Sequence, residues 1–300
     1  MKKTLIVKLG SAGDVVRTTV ILPYMRGDVF WLVSHANHEL LLRAPFIKEI
    51  FLFDCYHCRQ RLMKMHFDLV FAIEEDLDAT HFVAQLKKKR VIGMYFDSRK
   101  KHNVYTRTSR AWFDMSCESR YGLSVANAMR KKSTKTYQEM LFSMLGLKFR
   151  NQSYQLGIDP NHKPAFDVGL EERVGARWPT KLWGGYKKLK KLLIRDRIKV
   201  FEFKQRPNLR EYISNVNNCR VIVCGDTLAM HLGLALKKKG IAMFSSTPPQ
   251  DQHDYGLFTK LYDSQAPCFV SFRAVCGHSP QCIDRVSVER VYQEVKKALR

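Results

Sequence analysis

Residues 4–14, TLIVKLGSAGD, decide the fold of this 300-residue chain. The apolar run at the start of this stretch is short and rich in β-branched residues, as in a buried strand. Gly10 and Gly13 follow it, and a helix is predicted over residues 14–22. A buried strand that turns through glycines into a helix is the opening unit of a parallel α/β sheet.

The same alternation continues along the chain. Further strands are predicted at 28–34, 49–53, 67–73, 90–95, 199–203, 220–224 and 240–244. Helices are predicted at 38–44, 80–88, 137–147, 182–193, 209–217, 229–236 and 288–299. We therefore predict an α/β protein with two Rossmann-like domains that face each other across a cleft, where ligands of such sheets bind.

A linker is predicted at residues 148–165, which carry Gly157, Pro160 and Asn161. The domains would then span residues 1–155 and 156–285, and residues 286–300 would form a C-terminal helix. Residues 96–125 are polar and basic, and we expect them to be irregular. A loop of that length is usually functional or mobile.

The net charge is +23, from 51 lysines and arginines against 28 acidic residues. Such a field attracts nucleic acids, anionic membranes and phosphorylated substrates. A basic nucleic-acid-binding protein is therefore an alternative, although no zinc-finger, RRM or homeodomain-like signature is present, and we expect no specific nucleic-acid partner. The first apolar run is too short for a signal peptide, and no stretch approaches about 18 apolar residues, so we expect a cytoplasmic protein.

The loop after the first strand could carry chemistry. Its glycines let the backbone approach a ligand, and a helix N-terminus favours an anion. The spacing is not that of the dinucleotide-binding fingerprint, and the Walker lysine is missing. Asp14 is either a reactive carboxylate or simply the cap of the helix.

Two segments of the second half could bind phosphate. Residues 177–183, RWPTKLW, offer Lys181 as a point charge and Thr180 as a donor, or they form a surface turn with packed tryptophans. In residues 224–231, CGDTLAMH, a strand ends and a helix begins, so the backbone N–H groups of 227–230 could cradle a diphosphate. His231 is either part of that site or a buried core histidine.

These motifs occur in an order that resembles glycosyltransferase family 9, the bacterial heptosyltransferases. Gly13 and Asp14 fit the family's first loop, and residues 178–183 fit its Trp-Pro-x-Lys-x-Trp segment. Residues 225–231 fit a later Asp-Thr-Gly-x-x-His pattern, except that Leu228 replaces the glycine. Residues 244–249, FSSTPP, fit the turn that follows, with Ser245 in place of a glycine.

The resemblance implies a GT-B type fold, whose C-terminal helix packs back on the first domain. It also implies an inverting, metal-independent transfer of a sugar, with ADP-heptose as the usual donor and Asp14 as the general base. The implied donor-binding residues are Gly13, Thr180, Lys181, Asp226, Thr227, Leu228, Ala229, Met230 and His231. No cofactor is implied.

The usual family acceptor, the inner core of lipopolysaccharide, is rich in carboxylate and phosphate. The resemblance therefore implies an anionic glycan or glycolipid acceptor and a peripheral contact with the inner membrane. We assign acceptor binding to Arg99, Lys101, Arg107 and Arg120, although these residues could equally form a merely soluble surface. An alternative is a protein O-heptosyltransferase that modifies Ser or Thr of a surface protein.

The eight cysteines include two groups with potential metal ligands. Cys55 and Cys58 have C-x-x-C spacing, whereas Cys268, Cys276 and Cys282, with His278, lack a C-x-x-C pair. Some relatives that modify proteins carry a cysteine-bound iron. Because the C-terminal group lacks a C-x-x-C pair and the pair Cys55–Cys58 lies in the other domain, we predict no metal in either segment and keep a site that unites any of these cysteines as an alternative.

Overall fold

The computed structural model describes residues 1–159, 162–206 and 208–300. The chain divides into two compact units, Met1–Gly157 and Ile158–Arg300. The division falls inside the predicted linker, two residues after the predicted boundary. Pro160 and Asn161 of that linker lie outside the described residues.

The first unit is a mainly parallel sheet with helices between its strands. The strands are β1 (Lys3–Val7), β2 (Asp28–Val33), β3 (Ile47–Leu52), β4 (His66–Phe67), β5 (Leu69–Ala72), β6 (Lys87–Lys88), β7 (Val91–Asp97) and β8 (His102–Tyr105). The main sheet has the order β3-β2-β1-β5-β7-β8, and β4 pairs separately with β6. The helices are α1 (Ala12–Thr18), α2 (Tyr56–Lys64), α3 (Leu77–Gln85), α4 (Arg110–Phe113), α5 (Leu123–Lys132) and α6 (Tyr137–Met144).

Two predictions for the first unit are corrected. The predicted helix over 14–22 begins at Ala12 and continues after Thr18 as a 3₁₀ helix that contains Pro23. Residues 96–125 are not irregular throughout, because β7 turns back into the antiparallel strand β8 and α4 follows. Helix α6 begins as predicted, where Thr136 and Glu139 form a reciprocal capping box.

The second unit is a five-stranded parallel sheet. Its strands are β9 (Phe166–Leu170), β10 (Val200–Glu202), β11 (Cys219–Gly225), β12 (Lys239–Met243) and β13 (Phe258–Leu261), in the order β10-β9-β11-β12-β13. Its helices are α7 (Tyr186–Arg195), α8 (Leu209–Asn217), α9 (Leu228–Ala235) and α10 (Val288–Leu299). Strands β9 and β13 have no counterpart in the sequence prediction, whereas α8 and α10 have the predicted bounds.

Each unit has its own apolar core. In the first unit, inward residues of β1, β2 and β5 pack with α2 and α3. In the second, β9, β11 and β12 pack against α7 and against one stripe of α10, which includes Val291 and Val295. The predicted α/β class, with a parallel sheet in each half, is therefore confirmed. In the described part of the chain, no helix has the length and hydropathy that a membrane span requires.

Candidate functional site

A carboxylate that the sequence analysis missed holds the loop after β1. Strand β1 lies between β2 and β5, so this loop leaves the middle of the sheet at its carboxyl edge. Glu74, just after β5, accepts hydrogen bonds from the backbone N–H groups of Leu9 at 2.7 Å and Gly10 at 3.2 Å. The Lys8 ammonium lies 3.2 Å from the same carboxylate. The sequence did contain a signal for this contact, since Glu74 is an acidic residue directly after the strand predicted at 67–73.

Asp14 is not the helix cap. Helix α1 begins at Ala12 with Ser11 at the N-cap, so Gly13 and Asp14 lie in its first turn. The Asp14 carboxylate forms an ion pair with the Arg17 guanidinium one turn later, and the two side chains are 29% and 10% exposed. Asp14 is therefore held in one orientation while remaining partly open to solvent.

Arg17 is itself fixed by an aromatic ring. Its guanidinium lies 3.7 Å from the centre of the Tyr137 ring, and the Tyr137 hydroxyl lies 2.8 Å from Thr18 Oγ1. Burial alone would lower the pKa of Arg17, but Asp14 and the nearby tyrosines raise it overall. Burial, and then the charge of Asp14, raise the pKa of Tyr137. The group around Asp14 thus contains a permanent cation and a neutral phenol.

A second carboxylate–cation pair lies in the second unit. Asp226 directly follows β11, and its Oδ2 accepts hydrogen bonds from the Lys181 ammonium at 2.6 Å and the Thr247 hydroxyl at 2.9 Å. Lys181 also donates to the Asp226 carbonyl at 3.1 Å. His231 Nε2 lies 3.9 Å from Asp226 Oδ1. Lys181, Asp226, Thr247 and His231 are called the Asp226 cluster below.

The Asp226 cluster is nearly buried and assembled from distant parts of the sequence. The Lys181 and Asp226 side chains are 12% and 9% exposed. Lys181 comes from the 3₁₀ turn Pro179–Lys181, and Thr247 follows β12, the neighbour of β11. An ammonium has three N–H donors, and Asp226 takes two of them. The third donor is the one that a bound anion would use.

Two groups predicted to contact the donor already have partners within the second unit. Thr180 Oγ1 is buried and lies 3.0 Å from both the Ser246 hydroxyl and the Arg273 carbonyl. The Met230 N–H donates to the Thr227 carbonyl at 3.1 Å, inside the first turn of α9. Leu228 and Ala229 occupy that same first turn, directly after the Thr227 N-cap.

A glycine permits the close approach of the two segments of the Asp226 cluster. A Cβ atom added at Gly225 would lie 3.0 Å from the carbonyl oxygen of Lys181. A side chain there would push apart the strand end and the turn that carries Lys181. The sequence alone gave no physical reason for a glycine at position 225, apart from its match to the family pattern.

The basic residues assigned to the acceptor are only partly brought together. Arg120 lines an open cavity of about 550 Å³, together with Lys100, His102, Asn103, Val104, Tyr105, Arg110, Cys117, Glu118 and Ser119. Its guanidinium is also paired with Asp114 at 3.1 Å. Among the described residues, Arg99, Lys101 and Arg107 do not line this cavity.

The two cysteine groups differ. Cys55 Sγ accepts a hydrogen bond from the Cys58 N–H at 3.3 Å, and within the described residues no third potential ligand joins this pair. In contrast, the ligand atoms of Cys268, His278 and Cys282 lie within 4.8 Å of one another. The fold therefore brings potential metal ligands together around Cys268 and Cys282, and not at the C-x-x-C pair Cys55–Cys58.

Residues 205–280 match the model of glycosyltransferase family 9 (heptosyltransferase), and no curated protein matches the chain significantly. The structure resembles that of the glycosyl transferase family 9 from Veillonella parvula, with TM-score 0.67, 14% identity and coverage of 99% of this chain and 97% of that one. E. coli heptosyltransferase WaaC with ADP-2-deoxy-2-fluoro heptose gives TM-score 0.63 and 14% identity, with coverage of 98% and 99%. The iron-containing dodecameric glycosyltransferase TibC from enterotoxigenic E. coli gives 0.61 and 11%, with coverage of 99% and 76%.

These structural similarities confirm the predicted fold. The family match covers α8, β11, α9 and the turn that carries Thr247, so it includes three residues of the Asp226 cluster. It confirms the resemblance to glycosyltransferase family 9 and identifies the chain as a glycosyltransferase.

Proposed function

We propose that this glycosyltransferase moves a heptose from ADP-heptose to a hydroxyl group of an anionic glycan, such as the lipopolysaccharide inner core, with inversion at the anomeric carbon. The observation that carries the proposal is the Lys181–Asp226 pair. Asp226 lies two residues before α9 and inside the segment that matches the family, whereas Lys181 comes from the turn Pro179–Lys181, before that segment. The fold similarity to a heptosyltransferase solved with an ADP-heptose analogue supports the choice of donor.

The Asp226 cluster would bind the diphosphate of the donor. Negative charge develops on the leaving diphosphate as the bond to the sugar breaks, and a preorganised cation stabilises that charge. Asp226 and Thr247 fix the position of the Lys181 ammonium and leave it one further donor. The first turn of α9 adds the positive end of a helix dipole. In this scheme the chain's own groups neutralise the leaving group, so no added divalent ion is needed for the reaction.

Asp14 would act as the general base. Inversion requires one displacement, in which the acceptor oxygen attacks the anomeric carbon, loses its proton and expels ADP. A carboxylate that accepts this proton contributes typically 10²–10⁴-fold to the rate. Asp14 suits the role because it is partly exposed and because Arg17 orients it. The carboxylate of Asp226, which already accepts from Lys181 and Thr247, is less suited to accept a proton.

The acceptor proposal rests on charge. A net charge of +23 favours a phosphorylated or carboxylated partner over a neutral one. The cavity in the first unit is lined by three basic side chains, Lys100, Arg110 and Arg120, against one acidic side chain, Glu118. A glycolipid acceptor would also bring the enzyme to the surface of the inner membrane, without any insertion of the chain.

The donor is tested by calorimetry against ADP, ADP-heptose, UDP, UDP-glucose and GDP-mannose. We expect binding of ADP and ADP-heptose only, and equal binding with and without added Mg²⁺. Equal or tighter binding of a uridine or guanosine nucleotide would overturn the donor assignment.

The acceptor is tested by mass spectrometry of products formed from ADP-heptose and a heptose-deficient lipopolysaccharide core. We expect one added heptose on the core oligosaccharide. Transfer to Ser or Thr of a protein substrate, with none to the glycan, would contradict the acceptor assignment and leave the donor assignment standing.

A further inference from the structure

Three thiols and one imidazole lie together in the second unit, outside the Asp226 cluster. They belong to the segment between β13 and α10, in which residues 262–281 form neither helix nor strand. Segments of this length without secondary structure are uncommon in compact domains and are usually functional. Something other than a helix or strand ladder must therefore fix this segment.

The distances suit a metal ion. The ligand atoms of Cys268, His278 and Cys282 lie within 4.8 Å of one another. Cys276 Sγ lies 3.5 Å from Cys268 Sγ, and the N–H of Cys282 donates to Cys276 Sγ at 3.4 Å. Around a tetrahedral ion with bonds of 2.0–2.3 Å, ligand atoms are roughly 3.3–3.8 Å apart. Cys276 is not among the three residues whose ligand atoms lie within 4.8 Å of one another, so its side chain would have to move for all four ligand atoms to bind one ion.

Simple hydrophobic packing explains the cluster less well. Cys268 and Cys282 are buried with Ala266 in a small cluster, as cysteines that act as small apolar residues often are. The imidazole of His278, however, belongs to an exposed residue and still lies within reach of both buried thiols. Packing gives no reason for a polar ring at that point, whereas a fourth ligand does.

We propose that Cys268, Cys276, His278 and Cys282 bind one thiophilic divalent ion, Zn²⁺ or Fe²⁺. Thiolate and imidazole ligands select these ions over Mg²⁺ and Ca²⁺. Four protein ligands close the coordination shell, so the ion has a structural role and offers no position to a substrate. It holds together a segment in which residues 262–281 form neither helix nor strand.

The metal would also stabilise the surroundings of the Asp226 cluster. The backbone N–H groups of Val270 and Phe272 donate to the carbonyls of Ser245 and Ser246, at 2.8 and 2.9 Å. The next residue along the chain is Thr247, which holds Asp226. A metal that fixes residues 268–282 would therefore fix the turn beside the proposed diphosphate site. This consequence, unlike metal binding itself, rests on the proposed function.

The site is tested on the full chain, purified under anaerobic conditions without chelator. Elemental analysis should find about one ion per chain, and the element found distinguishes Zn²⁺ from Fe²⁺. Cys268→Ser and Cys282→Ser should each lower the occupancy below roughly one tenth. Cys117→Ser, at an exposed cysteine of the first unit, is the matched control and should keep full occupancy.

A second measurement guards against variants that fail to fold. A strong chelator should strip the wild-type protein and lower its Tm, and one equivalent of Zn²⁺ or Fe²⁺ should restore the Tm. Co²⁺ added to the stripped protein should give the absorption bands of tetrahedral thiolate coordination, and these bands should be absent in Cys268→Ser. Failure of the reduced protein to hold or take up any of these ions would overturn the proposal, as would a native Cys268–Cys276 disulfide.

The ADP measurement separates this inference from the proposed function. Metal removal should weaken ADP binding in the wild-type chain. Metal bound at one equivalent with unchanged ADP affinity after stripping would overturn the link to the Asp226 cluster and leave the metal site intact. Metal bound in a chain that never binds ADP would instead contradict the proposed function alone.

Discussion

Both units contain an aspartate in a strand–turn–helix segment, but the two aspartates differ in how far they are exposed to solvent. In each, the central strand of a parallel sheet ends, the chain turns, and an aspartate stands beside the start of a helix. Asp14 pairs with Arg17 within one helix, and its side chain is 29% exposed. Asp226 pairs with Lys181 across 45 residues of sequence, and its side chain is 9% exposed.

This difference separates two roles for one residue type. The Asp226 carboxylate accepts from Lys181 and Thr247, so its function is to hold a cation in place. Asp14 is oriented by Arg17 and keeps part of its side chain exposed to solvent, so it can exchange a proton with a ligand. A carboxylate that must accept a proton from a ligand needs to be accessible to that ligand. A carboxylate that holds a lysine in place forms a stronger ion pair when it is shielded from solvent.

Asp14→Asn is expected to have the largest effect. The amide keeps an oxygen for Arg17 but cannot act as a base, so the rate of transfer should fall by about 10²–10⁴-fold. The Kd for ADP-heptose should stay within about twofold of wild type, because binding belongs to the second unit. Turnover with the acceptor and calorimetry with the donor measure these two effects separately.

The matched control is Asp78→Asn, at an exposed aspartate in the first turn of α3. It should change neither quantity. A near wild-type rate in Asp14→Asn would show that another group accepts the proton of the acceptor hydroxyl. The proposed difference in role between Asp14 and Asp226 would then be wrong.

Lys181→Met is expected to have the next largest effect, on the other side of the comparison. It removes a charge-assisted contact worth about 1.5–3 kcal/mol, so ADP should bind roughly 10–100-fold more weakly. Calorimetry measures this loss, and Lys187→Met, at an exposed position of α7, is the matched control. If Lys181→Met binds ADP as tightly as the control does, then the Lys181–Asp226 pair is only structural.

The sequence predicted the two aspartates but not their difference. Short-range patterns place Asp14 and Asp226 after buried strands, because strand and helix periodicity is local. The contacts that fix their surroundings come from residues distant in sequence. Glu74 holds the loop before Asp14, and Lys181 and Thr247 contact Asp226 itself. Such contacts depend on strand order, which a single sequence does not specify.

The same reason explains the misplaced elements. Strand β9 has the sequence FDVGL, and its glycine and aspartate lower its local preference for a strand. Burial between β10 and β11 overrides that preference. Residues 102–105 form a strand only because β7 is there to pair with them. In contrast, α8 and α10 were predicted with the correct bounds, since a polar N-cap and a periodic apolar stripe suffice to specify them.

Gly225→Ala tests how tightly the Asp226 cluster is closed. The added methyl group would lie 3.0 Å from the Lys181 carbonyl, and overpacking of this kind costs about 1–3 kcal/mol of unfolding free energy. Denaturant unfolding measures the loss. Gly175→Ala, at an exposed glycine of the second unit, is the matched control, because no atom lies within 4 Å of its added methyl group. A larger loss of unfolding free energy in the control than in Gly225→Ala would show that the Asp226 cluster is not tightly packed.

Glu75→Gln should produce the smallest effect, and it tests whether Glu75, another carboxylate of the first unit, acts as the base instead of Asp14. Burial raises the pKa of Glu75, so the folded state binds its proton more tightly than the unfolded chain does. Wild-type stability should therefore fall as the pH rises from the ordinary glutamate pKa, about 4.3, through the raised value. Glu75→Gln should lack that fall and should have a slightly higher Tm than wild type at pH 7.

Glu75→Gln should also keep its rate of transfer, since an amide can still accept the hydrogen bond from the Glu118 N–H, which spans 3.3 Å in the wild type. Thermal unfolding at pH 4 and pH 7, with turnover at pH 7, measures both effects. A rate that falls as far as in Asp14→Asn would make Glu75 the base. Asp14 would then have the same role as Asp226: it would hold the Arg17 guanidinium in place, as Asp226 holds the Lys181 ammonium.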